Sequence, residues 1–206
     1  MKRSSPLFGL CLLTAIILLP SCFYPEEFHA TLNIDKSGSY NFVFDGILVF
    51  LNFDPEKDEP LLTDSNPQEI QKLEEELKKD PNFQEVKYTG KSRFKVLYRR
   101  EGVIKPNVKT KLLSKLCELI TIKPIQPGKV LIKGANLDEV DIAYLHKVNF
   151  RLEGKLSVTT NAKVIRHNAD RSPWFPGLSG TYEWQFSLSP FPEPWMLLQL
   201  ERRAHR

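Results

Sequence analysis

Apolar residues recur at every second position over several stretches of this chain, and that period restricts those stretches to strands with one buried face. Phe28, Ala30, Leu32 and Ile34 share one side of an extended segment, with His29, Thr31 and Asn33 on the other. After a turn at 35–39 the alternation resumes at Tyr40, Phe42 and Phe44. Phe94, Val96 and Tyr98 repeat it in the second strand of a hairpin that turns at Gly90-Lys91, opposed by Arg93, Lys95 and Arg99. Phe150, Leu152, Gly154, Leu156 and Val158 follow the same rule, and Lys163–His167 is expected to pair back on that strand. Gly154 is the expected site of a bend or bulge, because a long strand usually bends and glycine permits it. Tyr182, Trp184, Phe186 and Leu188 form a last inward row. Ile47–Phe53 is apolar on both faces, which suits a strand covered from both sides or the floor of a cavity.

Two segments carry the other period. Asn66-Pro67-Gln68-Glu69 supplies a helix start, and Ile70, Leu73 and Leu77 make a narrow stripe backed by Glu/Lys pairs four apart. From Asn107, Val108, Leu112, Leu113, Leu116, Leu119 and Ile120 fall on one side and Lys109, Lys111 and Lys115 on the other, which predicts a second helix. Short strands at Leu119–Lys123 and Lys129–Lys133 follow. The expected fold class is α+β: a bent, mostly antiparallel β-sheet with two α-helices packed on one side, preceded by a cleaved signal peptide. With no Gly/Ser-rich or Pro-rich linker in the middle of the chain, residues 28–189 are expected to form one domain, and 190–206 a Pro-rich, amphipathic basic tail.

Met1–Cys22 has its own grammar: Lys2 and Arg3, an apolar run from Leu7 to Leu19, then Pro20-Ser21-Cys22. The run is shorter than the roughly 20 residues of a permanent membrane helix and suits a signal peptide spanning 1–21. Leu19-Pro20-Ser21-Cys22 resembles a bacterial lipobox, with Pro20 where Ala, Ser, Thr or Val is usual. That resemblance implies cleavage before Cys22, acyl chains such as palmitate on it, and a tether over 22–27. The alternative is an ordinary signal peptide cut nearby, with Cys22 a thiol. Of the three cysteines in 206 residues, processing leaves Cys22 and Cys117. With Cys22 acylated, no intramolecular disulfide can form, and stability must come from packing. Cys117, beside an apolar stripe, is expected to be a buried, inert thiol. The formal charge is +4; losing Lys2 and Arg3 leaves a value too small to dictate a partner.

Val164-Ile165, His167-Asn168-Ala169, a loop with Gly177 and Gly180, and then Trp184-Gln185-Phe186 are similar to the signature of the LppM-like lipoprotein domain family. Together with the lipobox leader, the resemblance runs loosely over Phe28–Leu188. It implies a membrane-anchored protein with an α/β domain like those of lipid-handling folds and no assigned reaction. Asn168-Ala169 itself reads as a tight turn after a strand, since Asn tolerates the left-handed region.

Catalytic chemistry has little to stand on. Cys117 lacks an evident base, and His29, His146, His167 and His205 are dispersed with no metal-ligand spacing. No Gly-rich loop opens a helix for phosphate. The chain is expected to be no enzyme, with no catalytic or metal residue and no cofactor. Basic residues dominate from Lys87 to Lys115, which is either a solvated face or a surface for anionic headgroups. The inner aromatics are either ordinary core or the lining of a hollow for an acyl chain. The first functional expectation is a lipid-anchored protein on the exported side of the cell membrane or outer membrane that binds a lipid or amphiphile. Trp184 and Phe186 would hold the apolar part, and Arg93, Lys95 and Arg99 the headgroup. The second is an envelope interaction or assembly protein that docks a protein partner. An exported chain has no use for nucleic acid. If Cys22 is the lipid acceptor, Cys22→Ser leaves an unprocessed precursor without acyl chains; normal maturation and unchanged sedimentation with envelopes on cell fractionation refutes the assignment.

Overall fold

The period-two segments fold into two sheets rather than one. The structure, a computed structural model, describes residues 22–51, 67–113, 117–135, 139–147, 150–175, 179–188 and 192–201. The leader (1–21), residues 52–66 and the end of the expected basic tail after residue 201 therefore lie outside the described residues. The strands are β1 (Cys22–Ile34), β2 (Ser39–Leu51), β3 (Phe83–Gly90), β4 (Arg93–Val103), β5 (Thr110–Leu113), β6 (Glu118–Gln126), β7 (Lys129–Gly134), β8 (Glu153–Thr160), β9 (Lys163–His167), β10 (Gly180–Ser187) and β11 (Trp195–Gln199). The helices are α1 (Pro67–Lys78) and α2 (Glu139–Lys147).

The first sheet has six strands in the order β10-β8-β1-β2-β4-β3, and the second has five in the order β5-β6-β7-β11-β9. All pairings are antiparallel except β1 with β8. Register sets the core rows of the first sheet. Trp184, Leu156, Ala30, Phe44, Tyr98 and Phe83 stand side by side, and so do Phe186, Gly154, Phe28, Gly46, Val96 and Val86. The second sheet contributes Leu112, Ile120, Ile122, Ile132, Val130, Met196, Leu198 and Val164 to the same buried cluster.

The expected α+β class is overturned: the described residues are mostly β, with two sheets and two short helices among them. The helix expected from Asn107 is instead the β5 strand and the beginning of β6. Leucines three and four apart satisfy a strand pair as well as a helix when the run is short. Asn107 and Leu113 both adopt left-handed φ, 61° and 91°, which a continuing helix excludes. Thr110 pairs with Ile122 and Leu112 with Ile120, burying Leu112, Leu113, Ile120 and Ile122. Helix α2 has no counterpart among the expected elements; Leu145 is buried, and its carbonyl accepts the Phe150 amide at 3.0 Å.

Three further expectations change. Residues 22–27, read as a tether, begin β1, and 22–25 pair with 48–51 of β2. Strand β9 does not pair back on β8; it lies in the other sheet beside β11. Trp195–Gln199, read as part of a tail, is β11, between β7 and β9. The α1 helix, the β3–β4 and β6–β7 hairpins, the inward row of β10 and the burial of Cys117 match the sequence reading.

Gly154 is not a bulge. Its register is unbroken with both neighbours, and the irregularity sits in β1 between Pro25 and Phe28. The glycine is needed because the Phe28 ring lies over it: a Cβ there would be 2.1 Å from Phe28 Cε1. Gly154→Ala should cost about 1–3 kcal/mol through overpacking, read as a lower urea midpoint. In the Phe28→Leu background the same change should cost measurably less, since the clash is with the ring.

Candidate functional site

The five residues expected to bind a ligand all lie in the first sheet, but on different strands. Arg93, Lys95 and Arg99 alternate along β4 with the buried Phe94, Val96 and Tyr98, and so face away from the core. Trp184 and Phe186 lie on the core side of β10, with β8, β1 and β2 between them and β4.

Arg93 serves a buried acid. The carboxylate of Glu26, only 4% exposed, accepts from Arg93 Nε at 2.6 Å and from Nη2 at 2.7 Å. This fork-to-carboxylate geometry is the strong form of ion pair. It reaches from the irregular part of β1 across β2 to β4, and the hydrogen bond to Glu26 raises the Arg93 pKa further. Trp184 is likewise engaged. Its indole Nε1–H donates to Asn168 Oδ1 at 3.0 Å, and the same oxygen accepts the Trp195 amide at 2.7 Å. Asn168 Nδ2 donates to the Glu193 carbonyl at 2.8 Å. The neighbouring Ala169 amide donates to His167 Nδ1 at 3.1 Å, and burial lowers the His167 pKa, so that nitrogen remains an acceptor. The Asn-Ala pair is thus a structural joint between the sheets.

Lys95 and Phe186 do share a feature. Both border an open groove of about 700 Å³ on the first sheet, at the rung of Gly46 and Gly154, with Glu27, His29, Asp45, Ile47, Glu153 and Lys155. Of the two, only Lys95 turns its side chain outward, since the Phe186 ring is buried in the core. Lys95 pairs with Asp45, and Lys155 with Glu183 at 2.5 Å. The Lys155 hydrogen bond holds the Glu183 carboxyl below its ordinary range. Exposed pairs of this kind are worth roughly 0–1 kcal/mol each, so an incoming phosphate or carboxylate can replace the acid at Lys95 at little cost. The groove lies along β1 about six residues beyond Cys22, or roughly 20 Å at 3.3 Å per residue. Arg99 is exposed beyond it, opposite Val43.

Sequence reasoning missed Glu26, an acid inside a presumed tether whose partner is 67 residues away, and nothing local marks it. No helix among the described residues is long and apolar enough to cross a membrane. Glu26→Gln should cost about 2–3 kcal/mol, less than the roughly 3–5 of a fully enclosed pair because Arg93 keeps some solvent contact. Glu26→Leu with Arg93→Met should restore most of that loss in the same urea titration; an unchanged Glu26→Gln midpoint contradicts the clamp.

No family model matches the sequence, and no curated protein matches it. Among solved structures, the folded domain of LppM from Mycobacterium tuberculosis, determined by NMR, is a structural neighbour. The similarity covers 87% of this chain and 92% of that one, at 11% sequence identity and a TM-score of 0.36.

Proposed function

We propose that this protein is a bacterial envelope lipoprotein, anchored through acyl chains on Cys22, whose domain binds a lipid or other amphiphile without catalysis. The leader and its lipobox support the anchor, which is expected on the exported side of the cell membrane or outer membrane. The observation that carries the binding reading is the groove: Lys95, selected from sequence for the headgroup, lines it together with Lys155. Lys95 and Lys155 would meet an anionic group, and Ile47 would supply adjoining apolar surface, while the Phe186 ring stays in the core. Arg93 and Trp184 support the site as structural members, committed to Glu26 and Asn168.

A second reading, an assembly protein that docks an envelope partner, is favoured by the density of the core. Phe42, Phe44, Phe94 and Tyr98 are all fully buried and are in ring contact with neighbours or packed in the common cluster. Those aromatics behave as packing rather than as the wall of a hollow.

Native mass spectrometry of protein extracted gently from membranes separates the two. A co-purifying lipid that is lost in Lys95→Glu, with the anchor mass at Cys22 retained, supports amphiphile binding. A stoichiometric protein without lipid supports the second reading, and an unmodified Cys22 removes the anchor.

A further inference from the structure

The face of the second sheet turned away from the core carries a pattern that no single stretch of sequence displays. Register places Lys111, Thr121, Lys133 and Trp195 in one row across β5, β6, β7 and β11. The next row is Lys123, Leu131, Leu197 and Arg166, and the last is Lys129, Gln199 and Lys163. Leu131 and Leu197 are half-buried at its centre and Trp195 at the end of the first row, while Lys123, Lys163 and Arg166 are exposed around the leucines. Lys111 is paired with Glu118 and Lys133 with Glu193. Lys123, Lys129, Lys163 and Arg166 have no acidic partner within salt-bridge reach among the described residues.

We propose that this face docks on an anionic phospholipid surface. The geometry decides between that and a small anion. Lys123 and Arg166 stand three strand spacings apart, roughly 14 Å at 4.8 Å each, so their cations do not converge on one phosphate. A plane of many headgroups meets all four at once. Two leucines flanked by cations, with a tryptophan at the edge of the patch, reproduce the layering of the bilayer interface, where the aromatic ring lies at headgroup depth and the lysines reach the phosphates. An acidic protein would satisfy the charges but gives no reason for that flat array around an apolar centre. The docking needs a charged surface, not an acyl chain, and so holds whether or not Cys22 is the anchor.

The test reads the depth of Trp195 rather than the amount of protein bound, because an acylated chain would join any vesicle. The full-length protein is mixed with vesicles of brominated phosphatidylcholine, or of an equal mixture with brominated phosphatidylglycerol, and tryptophan quenching is measured. Trp195→Phe identifies the part of the signal that belongs to that residue. The expected result is Trp195 quenching in the mixed vesicles only, abolished by molar salt and reduced at least about fivefold in Lys123→Glu/Arg166→Glu. Salt needs no substitution, so the test does not depend on the variant folding. Equal quenching in both vesicle types, no quenching in either, or quenching indifferent to salt and to charge reversal overturns the proposal. A Trp195 shift on adding polyglutamate, with none on adding vesicles, also overturns it and points to an acidic protein. The mass of the amino-terminal peptide reports separately on Cys22.

Discussion

Asn168 is where the two sheets become one molecule. Its carboxamide oxygen takes one hydrogen bond from the Trp184 indole in the first sheet and another from the Trp195 backbone in the second, and its nitrogen gives one to Glu193. Trp184 is almost wholly buried, so its N–H needs a partner inside the protein; an orphan there would cost about 1–3 kcal/mol. One short side chain therefore fixes the height of β10 against β11. A second join lies at the other end of β11, where Glu201 donates its amide to the Lys36 carbonyl and pairs with the Lys36 side chain at 3.0 Å. The inner faces of both sheets can fill a single core because these joins hold them in place.

At the beginning of β1 the logic is different. Phe23 is buried against Phe50 and Phe94, and Glu26 is held by Arg93. A buried carboxylate is costly unless it is paired and hydrogen-bonded, and the irregular register between Pro25 and Phe28 sets Glu26 where the guanidinium can reach it. These contacts hold the beginning of β1 against the rest of the first sheet. Acyl chains on Cys22 would hold the domain with little slack, and the groove some six residues along β1 would lie near the bilayer surface.

The strands with clean alternation were legible because burial on one face leaves a direct record in sequence: Phe28 to Ile34, Phe94 to Tyr98 and Tyr182 to Phe186 needed no other information. Residues 107–120 were not, since leucines at that spacing fit a helix stripe and a short strand pair equally, and long-range pairing with β7 decides. Strand β11 was hidden by its length and its proline-rich approach. Partner identity in the first sheet was also illegible: Lys95 and Lys155 are brought to the groove by four strands of register, and Arg93 is drawn away from it by an acid no local motif announces.

Because the inner faces are consumed by packing, recognition is left to the outer ones, and those differ in kind. On the first sheet charges are largely answered within the sheet: Lys95 by Asp45, Lys155 by Glu183, Arg93 by Glu26, while Asn41 donates to Glu101. Such a surface has little long-range field and discriminates by contact, which suits a groove that admits one molecule. On the second sheet four cations have no acidic partner among the described residues and flank an apolar centre, an arrangement suited to an extended anionic plane. A small net charge for the whole chain conceals this asymmetry, since the sum runs over two faces that only the strand register separates.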